Sequence, residues 1–170
     1  VFHELKAIES RHAALGRPFP LVLLHDVGWP WGRRDLYYDA LSIPAEFRLP
    51  NVAPDPAAFS APSKSPVHLD FRQATVEGGP RNGVLTAVED FVRAAAEPID
   101  LIVIPGFSGL GILVARAARA ANAELDAVLK DFTMSPRLAA YLEFLEAGRL
   151  RRPIRIQSST AAPSAAQKPG

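Results

Sequence analysis

The chain has 170 residues, 48% of them hydrophobic and 22% charged, with a formal net charge of +1; this suits one globular domain and leaves no basic footprint for nucleic acid. It contains no cysteine, which excludes a disulfide framework, a thiolate zinc site and a cysteine nucleophile, and fits a reducing compartment. No apolar stretch approaches the roughly 20 residues that span a bilayer, and no charged n-region followed by an apolar h-region opens the chain, so a soluble, cytoplasmic protein with no membrane partner is expected.

Phe2, Leu5, Ile8 and Leu15 recur at helical spacing, with Gly16 as the C-terminal cap and Pro18 just beyond. Val1 already stands inside this pattern, which reads as the later part of something longer. His3 and His12 lie too far apart for a one-turn ligand pair and receive no role. The short apolar run Leu21 to Leu24, with Pro18 and Pro20 before it, predicts a strand buried on both faces. The carboxyl ends of strands in an open parallel sheet face the ligand crevice, and His25 and Asp26 occupy that end. On extended backbone these neighbours point to opposite faces, so convergence requires an immediate turn, for which Gly28 and Pro30 are suited. A loop aspartate capping its own turn beside a satisfied histidine fits the spacing equally well.

From Gly32 to Gly79 six prolines interrupt a stretch with little apolar periodicity, which predicts a long loop. Its first part carries Arg33, Arg34, Tyr37 and Tyr38, whose guanidinium forks and phenolic hydroxyls suit a polar or anionic substrate. The alternative is that they only cover the sheet. Its second part, Asn51 to about Gln73, is rich in Ala, Pro and Ser and is expected to be mobile.

Asn82 is placed to N-cap a helix whose stripe is Val84, Leu85, Val88, Phe91 and Val92. Asp100 to Ile104 and Gly111 to Ala115, joined by a Gly-rich link, read as a hairpin. Helix, strand, loop, helix, strand, strand then predicts an α/β sheet that is partly parallel with an antiparallel edge. One helix is expected over 115–130. Ser135 and Pro136 open another, with Leu138, Tyr141, Leu142 and Leu145 inward and Gly148 after its end. The tail, 151–170, is expected to be mostly disordered.

The GFSGLG segment is not a nucleophile elbow, because Leu110 stands where the last glycine is needed and a strand follows. Nor is it a dinucleotide fingerprint, and GGPRNG lacks the Lys-Ser/Thr of a phosphate loop. At the end of the first strand, Asp26 would suit an oxygen-seeking divalent cation, while His25 is the easier general base near neutral pH. The preferred division is Asp26 as ligand and His25 as base.

Four blocks together resemble the later half of a class I S-adenosylmethionine-dependent methyltransferase of the DGxH-type small-molecule group. They are HELK at His3, LVLLHDVGWPWGRRDLYYDALSIPAEFR at Leu21, GGPRNGVLTAVEDFV at Gly78 and LIVIPGFSGLGILV at Leu101. The resemblance implies a partial Rossmann-like sheet over residues 1–150, ending in an antiparallel hairpin and followed by C-terminal helices. Leu21 to Leu24 would match the fifth of seven strands and Leu101 to Val114 the closing pair. It implies S-adenosylmethionine as cofactor and Asp26 as a divalent-metal ligand. The family's glycine-rich loop, second-strand acid and DGxH segment are absent from this chain, so its cofactor-binding residues stay unassigned.

The expected function is therefore the substrate-side half of a methyltransferase for a small polar acceptor, inactive alone. His25 would be the base, Asp26 the ligand or orienter, and Arg33, Arg34, Tyr37 and Tyr38 the acceptor clamp. The expected macromolecular partner is a second copy or a missing N-terminal half. The alternatives are a non-catalytic module that binds a partner through an exposed sheet edge, and, less favoured because the elbow fails, a hydrolase using Ser108 with His25 and Asp26.

Overall fold

The computed structural model describes residues 1–53 and 71–151. Most of the Ala/Pro/Ser-rich segment and the tail expected to be disordered lie outside the described residues.

The first apolar stripe forms helix α1 (Phe2–Ala14). Gly16, at φ 64°, reverses the chain, and the amides of Gly16 and Arg17 donate to the carbonyls of Ala13 and His12 at 2.9 and 3.0 Å. The LVLL run becomes strand β1 (Val22–His25). Next come β2 (Leu36–Tyr37), a 3-10 turn (Ala45–Phe47), β3 (Asn51–Val52) and β4 (Arg72–Ala74). Helix α2 (Val84–Ala94) leads into β5 (Ile99–Ile104), which turns back as β6 (Leu110–Ala115), and α3 (Arg116–Ala121), α4 (Ala123–Asp131) and α5 (Pro136–Arg151) follow.

The main sheet has the order β1-β6-β5, with Leu23 opposite Ile112 and Ile112 opposite Ile102. The expected hairpin is present, but every strand pair among the described residues is antiparallel, which corrects the partly parallel expectation. The reason is where the hairpin returns. The crossover through α2 leaves β1 and β5 running in the same direction, as a parallel pair would, but β6 lies between them and bonds to both. Helices cover both faces of this sheet. On one, Leu5, Phe19, Val88 and Phe91 pack with Ile99 and Leu113; on the other, Leu129 of α4 packs with Ile102, Ile112 and Val114. Phe19 and Phe91 meet at 5.2 Å between ring centroids.

Within the long loop expected over 32–79, the described residues carry a second, small antiparallel sheet of order β2-β4-β3. Strands of two or three residues are too short to show alternation. Polar side chains hold this sheet: Arg72 donates from Nε to Asn51 Oδ1 and from NH2 to the Asn51 carbonyl, and Arg48 donates to the Ala40 carbonyl at 2.7 Å.

Three helix expectations change. Gly83, not Asn82, caps α2, because the Asn82 side chain is buried in another set of hydrogen bonds. The helix expected over 115–130 breaks at Asn122, whose side chain accepts from the Leu125 amide at 3.0 Å and starts α4. Helix α5 runs through Gly148, and among its described side chains the buried one is Glu146, whereas Leu138, Tyr141 and Leu145 are exposed. Among the described residues no helix is long and apolar enough to cross a membrane.

Candidate functional site

At the carboxyl end of β1 the chain turns at once. Asp26 adopts φ 64°, and this brings its Oδ1 to 2.9 Å from His25 Nδ1 although the two are sequence neighbours. Side-chain exposure is 70% for His25 and 31% for Asp26, so the pair faces solvent with the imidazole outermost. Aspartate tolerates this left-handed conformation better than most residues, but it still costs about 1 kcal/mol or more and must be held by its surroundings.

The holding element is the β5–β6 turn. Gly106, Phe107, Ser108 and Gly109 are four successive residues at positive φ. The Gly28 amide donates to the Ser108 carbonyl at 2.7 Å, and a Cβ on Gly109 would stand 2.2 Å from the Gly28 nitrogen. Close packing against the 26–28 turn therefore requires glycine there. The same turn is fastened to α5: the Ser108 amide donates to Glu146 Oε1 at 3.0 Å, and Arg149 holds that carboxylate through Nε and NH2 at 2.7 and 2.6 Å. The Arg149 guanidinium also lies 4.9 Å from the Phe107 ring centroid. These bonds, Arg149 foremost, hold the Glu146 carboxyl below the ordinary glutamate range despite its burial.

Between these strand ends and α5 lies an open cavity of about 570 Å³. Val27, Leu85 and Val103 give it apolar surface, and Trp29, Glu77 and Phe144 line it as well. His25 and Asp26 are not in its wall; they directly precede Val27 to Trp29, which are.

The four expected clamp residues have separate fates. Arg33 lines the cavity, but its fork is taken up bidentately by Glu89 at 2.6 and 2.7 Å, with Thr86 Oγ1 at 3.2 Å. The pairing raises the Arg33 pKa and lowers that of Glu89. Arg34 donates to the Ala74 carbonyl at 2.9 Å and to Glu77 at 3.3 Å. Tyr37 is buried; its hydroxyl donates to Asp35 Oδ2 at 3.0 Å and accepts from the Leu49 amide at 3.0 Å, and burial with the neighbouring Asp35 pushes its phenol up. Tyr38 is exposed and packs edge-on against Phe71 at 4.5 Å.

Beneath this segment, fully buried Asn82 accepts from the Asp35 amide and donates to the carbonyls of Val76 and Gly78, while the Asp35 carboxylate accepts from the Gly83 amide. These bonds tie the 33–35 turn to the start of α2. Sequence reading did not single out Trp29, Glu77, Phe144 or Glu146. Trp29 had a signal, since it lies within the block that carries the resemblance; Glu146 had none, being next to an apolar stripe expected to point inward.

His25 and Asp26 supply one nitrogen and one oxygen donor, whereas divalent cations take four to eight ligands. Among the described residues no group of three or more His, Cys, Asp or Glu side chains could hold a metal ion. The dipeptide alone does not make a metal centre. Of the two glycines in the β5–β6 turn, Gly109 packs on Gly28, whereas a Cβ on Gly106 would meet nothing within 4 Å. No family model, curated protein or solved structure matches the chain.

Proposed function

We propose that this chain is the acceptor-side part of a cytoplasmic S-adenosylmethionine-dependent methyltransferase for a small polar molecule, and that it is inactive alone. The observation that carries this reading is the His25–Asp26 pair, made to converge by a left-handed Asp26 at the carboxyl end of β1, next to a cavity. Methylation of a hydroxyl or amine releases a proton, so the acceptor side needs a base. With Asp26 accepting from Nδ1–H, the imidazole presents Nε2 as the free basic nitrogen. Asp26 fixes the tautomer, the backbone turn fixes the ring's position, and the cavity receives the acceptor.

The arrangement of the sheet supports the incomplete character of the unit. Among the described residues β1 bonds only to β6, so its other edge is unpaired, and Leu21 and Leu23 are exposed. In this reading the edge receives a strand of the upstream half, which brings the cofactor site. Isothermal titration with S-adenosylmethionine tests it: no heat is expected from the chain alone, and binding is expected once upstream residues are joined. In the joined protein, His25→Gln should lower kcat by about a hundredfold with little change in acceptor KM. A joined protein that binds no adenosylmethionine overturns the reading.

The same edge favours one alternative, a non-catalytic module that pairs with a partner strand. The joined protein separates the two, because a module would assemble there without binding adenosylmethionine.

A further inference from the structure

We propose that the cavity between the β1 and β5 ends and helix α5 takes a small organic cation, an ammonium-bearing acceptor, and not the anionic substrate that two neighbouring arginines imply. The inference deepens the methyltransferase reading and rests on it for the word acceptor. Its basis is the charge lining the cavity. Among the described residues Arg33 is the one basic side chain in that lining, and both arms of its fork are engaged by Glu89. Glu77 pairs with Arg34 at 3.3 Å, and Glu146 with Arg149 at 2.6 Å. Glu143 lines the same cavity, and its side chain makes no ion pair or hydrogen bond among the described residues. Among the described residues the uncompensated charge is thus negative.

The aromatic lining is the second observation. Trp29, from the turn after β1, and Phe144, from α5, both line the cavity. Ring faces carry negative electrostatic potential and attract ammonium groups, most strongly when the cation is desolvated. An anion would meet these rings and Glu143 with no free guanidinium to offset them. A cation gains from all three, and a cavity of about 570 Å³ lies within the ordinary range for a small-molecule site.

Titration of the 170-residue chain with three compounds of one shape tests this: choline, its uncharged isostere with tert-butyl in place of trimethylammonium, and the matching tert-butyl carboxylate. Choline should bind about tenfold more tightly than the isostere, and the carboxylate should not bind. Glu143→Gln, at an exposed position, should weaken choline by about tenfold and leave the isostere unchanged, with an unaltered circular dichroism spectrum. Phe144→Ala should weaken choline more than the isostere. Equal affinities for the three compounds, preference for the carboxylate, no binding of choline, or indifference to Glu143→Gln would each overturn the assignment. Failure of the methyltransferase reading has a different signature, namely choline binding intact in a joined protein that binds no S-adenosylmethionine. Methylation of only uncharged or anionic acceptors would overturn the cation assignment while keeping the enzyme.

Discussion

A single backbone angle decides what the residues at the end of β1 can do. That His25 and Asp26 stand at a strand's carboxyl end was legible from the apolar run before them. Their convergence was not, because it depends on Asp26 at φ 64°, held by a turn about 80 residues later in the chain. The partners of the arginines were not legible for the same reason: Glu89, which pairs with Arg33, is 56 residues away, and Glu77, which pairs with Arg34, is 43. Gly109 gives the sharpest test of the holding turn. Gly109→Ala combines positive φ with a Cβ 2.2 Å from backbone, so it should lower unfolding free energy by about 2–4 kcal/mol in urea denaturation. Gly16→Ala, also at positive φ but with open space around it, should cost only about 1 kcal/mol. Asn82→Ala removes three buried hydrogen bonds and should cost about 3 kcal/mol in the same assay.

At the scale of elements, α1, β1, α2 and the β5–β6 hairpin were legible because each is long enough, or apolar enough, to show its period. The β2-β4-β3 sheet was not, since Leu36 and Tyr37 pair with Gln73 and Arg72, and strands so brief leave no pattern. Helix α5 was found, but its buried face was misread, because a carboxylate and not a leucine is its anchor. That anchor makes the attachment of α5 sensitive to acid. Glu146 titrates below the ordinary glutamate value when folded, so its contribution is complete above the unfolded value of about 4.3 and fades as pH falls through the lower folded value. Hydrogen exchange of the Ser108 amide, which donates to Glu146, should therefore speed up, beyond the intrinsic pH trend, as pH falls below the unfolded glutamate value of about 4.3. Glu146→Gln should make that amide exchange faster at pH 6 and remove the extra acid dependence. An unchanged exchange rate in the variant would exclude the carboxylate as the anchor.

At the scale of the whole molecule, the unequal covering of the main sheet sets its behaviour in solution. Leu23 lies opposite Ile112 on the face that α4 packs against, yet it is 62% exposed, because that helix reaches over β5 and β6 and stops short of β1. Apolar side chains beside an unpaired strand edge form a template for another strand. In the methyltransferase reading the natural occupant is the upstream half, and a second copy takes its place when that half is absent. The isolated chain should therefore associate reversibly with concentration in sedimentation equilibrium. Leu23→Lys, which puts a charge on an edge strand without disturbing either core cluster, should shift it to monomer with its circular dichroism spectrum retained. Joining the upstream half should abolish association of the wild-type chain as well, since both occupants compete for one line of amides and carbonyls. A wild-type chain that stays monomeric at high concentration and melts cooperatively at high temperature would show that β1 needs no neighbour on that side, and the proposal that this fold is half of a larger sheet would fall with it.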